Sequence, residues 1–155
     1  AEWPFNIQML GVSNFFFGTA LLVVCFLYAK TAVILKIPRA GLASFLLVMW
    51  GVLFAYDGVM TIFLPPSPQE MLESIQNLPE YIYILYLIPT IGFILMGFGL
   101  IKLKDVSAGR MLRGAGGLIL LGGILYLIFF DVSMILLAIG SFFGGVGFLN
   151  IKIEE

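Results

Sequence analysis

The sequence predicts an all-α fold: a polytopic helical membrane protein with four to five transmembrane helices in a single transmembrane domain, residues 1–155. Three observations carry this. Hydrophobic residues make up 61% of the chain and charged residues 11%, against about a quarter charged in soluble domains. A chain this short buries only about two-thirds of the surface it exposes when unfolded, so it cannot hide so much apolar surface from water. The charges also bracket uncharged runs close to the ~20 residues a helix needs to cross a bilayer: Glu2 to Lys30, Arg39 to Asp57, Glu80 to Lys102, Gly114 to Phe130 and Val132 to Ile151. Finally, these runs lack the alternation of a barrel strand, and irregular backbone cannot face lipid, so helices are the remaining solution.

The first span is expected over 9–35. Trp3 and Phe5 precede it at the interface, and Pro38 follows its end, because the residue before proline is pushed out of the helical region. The second, 40–64, stops at Pro65-Pro66. Ser67-Pro68-Gln69-Glu70 then reads as a capping box with proline at the first helical position. Met71, Leu72, Ile75 and Leu78 share one face of the helix that follows, about 68–77, closed by Pro79. This is read as an amphipathic helix lying on the membrane surface, with a partner-docking helix as the sharper alternative. The third span, 81–103, holds Pro89, which removes a backbone donor and predicts a kink.

The stretch Gly114 to Ile151 is interrupted only by Asp131. As one helix it would be about 57 Å long, too long for one crossing. Two spans, 112–130 and 133–150, fit better, with Asp131 capping the fifth. A fourth span followed by a re-entrant or surface segment is the alternative.

Loop charge sets the expected topology. Lys30, Lys36 and Arg39 follow span one; Lys102, Lys104, Arg110 and Arg113 follow span three, against Asp105 alone; Lys152 follows the last. The loop after span two carries Glu70, Glu73 and Glu80 and no base. The positive-inside rule then puts the N-terminus outside and the basic loops in the cytoplasm, with the plasma membrane as the expected location. Tyr81, Tyr83 and Tyr86 would form an aromatic belt on the outer side. The opening Ala1-Glu2-Trp3-Pro4 shows no basic region or cleavage pattern of a signal peptide.

An offset of 74 residues lays Gly18 on Gly92, Lys30 on Lys104, Arg39 on Arg113, Asp57 on Asp131 and Met60 on Met134. This predicts a parallel repeat of a two-helix unit, 12–63 and 86–137.

Composition also narrows the chemistry. There is no histidine and a single cysteine, Cys25, in an apolar run. The chain thus lacks the commonest metal ligand, a CxxC pair and the usual general base. Cys25 reads as apolar filler rather than a reactive thiol. A net charge of -1 gives no basic face for nucleic acid. No catalytic residue, metal site or cofactor is expected, and the chain is not expected to be an enzyme.

The candidate functional residues are Asp57 and Asp131, because an intramembrane acid is a functional hypothesis by default. They read either as interfacial anchors and helix caps or as paired ion or proton sites. Gly140 and Gly144 form a GxxxG and Gly51 with Ala55 a small-xxx-small pair, spacings that let helices approach closely; a glycine-rich channel lining is the competing reading. Trp50, Tyr56, Asn14 and Thr19 are expected to hydrogen-bond between helices rather than line a pore. The function expected from all this is a non-catalytic membrane subunit packed within a larger complex, respiratory or otherwise energy-converting. The alternative is a small homo-oligomeric channel or transporter with Asp57 and Asp131 in its path. The expected partners are the bilayer and other membrane subunits, or a further copy of the chain.

Overall fold

A computed structural model describes residues 7–103 and 108–151, the side chain of Ile75 excepted. Trp3, Phe5, Lys104, Asp105 and Lys152 lie outside the described residues, as does the matching of Lys30 with Lys104. The described chain is all-helical, with α1 (Ile7–Leu35), α2 (Ala40–Phe63), α3 (Pro68–Gln76), α4 (Tyr81–Ile101), α5 (Gly109–Leu125) and α6 (Phe130–Leu149). The fold is that of a polytopic helical membrane protein: α1, α2, α4 and α6 are long and apolar enough to cross a membrane. Helix α5 has 17 residues, about 25 Å, yet it runs antiparallel along α6. Gly122 meets Leu137, Ile119 meets Gly140, Ala115 meets Gly144 and Leu112 meets Gly147, so every step down α5 is matched by an equal step along α6.

The five long helices form a ring. Each of the pairs α1–α2, α2–α4, α4–α5 and α5–α6 packs extensively, and α1 and α6 close the circle with a sparse contact. Tyr28, Leu47, Met96, Leu100, Leu112 and Ile119 fill the interior. Large apolar side chains such as Phe16, Phe26, Phe45, Ile84 and Phe142 cover the outside, the inverse of a soluble globule. Every described acid (Asp57, Glu70, Glu73, Glu80, Asp131) lies toward one end of the ring. Every described base (Lys30, Lys36, Arg39, Lys102, Arg110, Arg113) lies toward the other.

Local chemistry explains the helix ends. Lys36 adopts the left-handed conformation (φ 54°) and the Ile37 N–H donates to the Ala32 carbonyl at 3.1 Å. This is the Schellman pattern, and it tucks Ile37 against Gly99 of α4. The capping box of α3 forms in both directions: the Glu70 N–H donates to Ser67 Oγ at 3.2 Å and the Ser67 N–H to Glu70 Oε2 at 3.1 Å. Among the described residues α3 packs on no other helix, and Leu72 and Leu78 are exposed. Helix α4 runs unbroken through Pro89, and the Thr90 hydroxyl donates to the Tyr86 carbonyl at 2.9 Å.

The C-terminal pair differs from expectation at the junction. Helix α5 ends at Leu125, not 130, because the chain turns at Tyr126, whose ring is drawn into the core. Helix α6 begins at Phe130, not 133, and its first bond runs from the Ser133 N–H to the Phe129 carbonyl at 2.9 Å. Asp131 is therefore not a cap: it sits inside the first turn, and no side chain caps this helix. The 74-residue offset thus lays Asp57, within α2, on a residue that opens a new helix after a turn. It also lays Gly18, packed on Gly51 and Ala55, on Gly92, packed on Leu47.

Candidate functional site

The candidate site begins with four glycines at seven-residue spacing, Gly11 and Gly18 on α1 and Gly51 and Gly58 on α2. The helices run antiparallel, so Gly18 faces Gly51 and Gly11 faces Gly58. A Cβ on Gly18 would lie 2.5 Å from the Gly51 carbonyl oxygen and from the Ala55 nitrogen. One on Gly58 would lie 2.6 Å from the Gly11 carbonyl oxygen. Backbone alone lies opposite Gly18 and Gly58, so no side chain can move aside there, whereas Thr61, Ile62 and Leu22 side chains share the contacts of Gly11 and Gly51. This is how small residues bring membrane helices together where lipid supplies no hydrophobic drive.

That close approach sets two polar side chains side by side. Asn14 lies between the two glycines of α1, and Asp57 precedes Gly58 on α2. Asn14 Nδ2 donates to Asp57 Oδ2 at 3.1 Å. Above them Gln8 Nε2 donates to the Ile62 carbonyl at 3.3 Å, tying the tips of the hairpin together. Asp57 is six residues before Phe63, the end of α2, which is about 9 Å along the axis. Helix α2 has 24 residues, about 36 Å, some 6 Å longer than a ~30 Å hydrocarbon core. Centred in the core, it places the carboxylate below the apolar boundary. Asp57 is nevertheless exposed on the outer surface of the ring. An acid at such depth ordinarily faces a bundle interior or a water-filled cavity; here one amide donor meets it and its remaining surface points outward.

The other predicted residues lie apart from this pair. Asp131 is exposed in the first turn of α6, where a negative charge complements the helix dipole. Helices α2 and α6 do not touch, so the fold does not bring the two aspartates together. Gly51 and Ala55 belong to the α1–α2 contact. Gly140 lies against Ile119, whose Cγ1 would be 2.9 Å from an added Cβ, whereas the nearest atom to a Cβ on Gly144 is 3.6 Å away. Trp50 does bond between helices, its Nε1 donating to the Tyr126 hydroxyl at 3.1 Å. Tyr56 and Thr19 are exposed.

Sequence reasoning missed Tyr126, which is 2% exposed. Trp50, Tyr86, Phe93 and Phe130 all pack within 6.4 Å of it between ring centroids, and this aromatic knot holds α2, α4 and the α5–α6 turn together. Ser133, which donates to the Gly122 carbonyl, and Arg113, which donates to the Leu103 carbonyl at 2.8 Å and closes the α4–α5 turn, were likewise not singled out as bonding residues. The seven-residue glycine spacing was visible in the sequence and would have pointed to the hairpin.

Among the described residues no three of His, Cys, Asp and Glu gather where they could hold a metal ion. No family model matches the chain, and comparison with curated proteins and with solved structures finds no match.

Proposed function

We propose that this chain is a non-catalytic integral membrane subunit whose α1–α2 face packs within a larger membrane assembly, of a respiratory or other energy-converting kind. The observation that carries the reading is the Asn14–Asp57 pair, a carboxylate exposed on the outside of a membrane-depth helix. Leaving such a group against hydrocarbon is costly, and a polar group on a neighbouring helix would relieve that cost. The apolar faces and close-packed glycines suit lateral packing, and among the described residues the acids and the bases lie toward opposite ends of the ring. In this reading the basic end is cytoplasmic, the acidic end with α3 is outside, the membrane is the plasma membrane, and α5 crosses beside α6 to make five spans.

The second reading is a small homo-oligomeric channel or transporter, and the same exposed Asp57 favours it: symmetry would gather the aspartates of several copies around one path. Gentle detergent extraction of the tagged chain separates the two. Stoichiometric larger subunits are expected to co-purify. An Asp57→Asn chain keeps the bonding shape and should assemble normally, while Asp57→Leu should weaken assembly. A lone symmetric oligomer that conducts ions and loses its flux on Asp57→Asn would reject the subunit reading in favour of the channel.

A further inference from the structure

The ring of helices closes least tightly between α1 and α6, and that seam carries two cavities one above the other. The upper, about 460 Å³, is lined by Phe17 and Val24 of α1, Leu137, Ala138 and Phe142 of α6, and Phe93 of α4. The lower, about 260 Å³, begins one turn further along α1 and is lined by Leu27, Lys30, Thr31 and Phe148. Thr31 is nine-tenths buried, and Tyr28 meets Phe148 nearby at 6.3 Å between ring centroids.

We infer that the α1–α6 seam is a binding site for one anionic membrane lipid of the leaflet at the basic end, with an acyl chain in the upper groove and the phosphate at Lys30. Three features select this occupant. The upper groove is apolar at the level of the spanning segments, where hydrocarbon is the solvent. From Phe17 to Lys30 is 13 residues, about 20 Å along α1, which covers the ~15 Å depth of one leaflet and leaves the lysine at headgroup level. The charge is complementary: Lys30 lies in the lower cavity and Lys36, Arg39, Lys102, Arg110 and Arg113 stand at the same end, where no acid lies among the described residues. Basic clefts between membrane helices on one side of the bilayer are suited to anionic headgroups. The lysine's apolar stem can follow Leu27 and Ile34 while its ammonium reaches the phosphate.

The test is native mass spectrometry of the full chain in mild detergent, with equal amounts of phosphatidylglycerol and phosphatidylcholine carrying the same acyl chains. One retained lipid per chain is expected, with phosphatidylglycerol preferred about fivefold, the effect of one lysine near the headgroup. Lys30→Gln should bring that preference close to one without emptying the groove. Ala138→Phe, an exposed position within the groove, should lower retention of both lipids. Lys102→Gln, at the same end but away from the seam, should leave the preference intact. Equal retention of both lipids by the unaltered protein would overturn the inference without any variant. So would a preference that survives Lys30→Gln, or one that Lys102→Gln removes equally well. A photo-crosslinker at position 138 in native membranes gives an independent readout: labelled lipid supports the site, and labelled protein alone rejects it.

Discussion

The α1–α2 hairpin and the α5–α6 contact both use glycine to bring helices together, but they place different atoms opposite it. In the hairpin, Gly18 and Gly58 lie against the backbone of the facing helix. In the α5–α6 contact, Gly122 faces Leu137, Gly140 faces Ile119 and Gly147 faces Leu112. The first arrangement joins two backbones, whereas the second seats a large side chain in a notch. A side chain can change rotamer to admit a methyl group, but a helix backbone can only be pushed away as a whole. The same residue type should therefore differ in tolerance between the two regions.

The largest effect is expected where backbone meets backbone. Gly18→Ala and Gly58→Ala should each destabilise the protein by about 3 kcal/mol, the upper part of the usual overpacking range, read as unfolding in mixed micelles of mild detergent and SDS. Gly122→Ala and Gly147→Ala should cost about 1 kcal/mol. Equal losses in both sets would break the distinction between the regions.

Next come the two glycines of the α6 GxxxG. Gly140→Leu should lose about 2 kcal/mol to overpacking against Ile119. Gly144→Leu should be milder, since a Cβ there meets only ordinary contacts. Thermal melts of the two purified variants would sharpen the comparison within a single helix. Equal damage at both sites would show that sequence spacing, and not the facing atom, governs tolerance.

Tyr126→Phe should cost about 1 kcal/mol, in the range measured for hydrogen bonds between membrane helices, because it leaves the Trp50 N–H buried without its acceptor. A double-mutant cycle with Trp50→Phe should recover most of that loss as coupling. Additive effects would mean that the rings' packing matters and the bond does not.

The smallest effects belong to the aspartates and the α1–α2 turn. Asp131→Asn should remove only a helix-dipole contribution of about 0.5 kcal/mol, and Asp57→Asn should change the isolated chain's stability by no more, since the amide oxygen still accepts from Asn14. Lys36→Gly should stabilise the chain by about 0.5 kcal/mol, because glycine adopts the left-handed conformation at Lys36 without the Cβ penalty. All three are measurable by the same micelle titration.

The sequence by itself determined the helices and most of their ends. Charge-free runs of bilayer length located α1, α2, α4 and α6; Pro65-Pro66 stopped α2; and Ser67 and Glu70 announced the capping box that forms at α3. These features are local: each depends on residues within a few positions, so hydropathy and cap chemistry reveal them. Tertiary structure alone decided the junction at Tyr126, because a tyrosine in an apolar run looks like any other until Trp50 lies opposite its hydroxyl. It decided that Asp57 pairs with Asn14 and not with Asp131, and that Gly140 is tightly packed while Gly144 is not. Those outcomes depend on the relative rotation and axial register of two helices. Nearly all the side chains in these spans are apolar, so many registers look alike in hydropathy, and the choice falls to shape: which glycine meets backbone, which meets a leucine, and which polar group is thereby brought within reach of another.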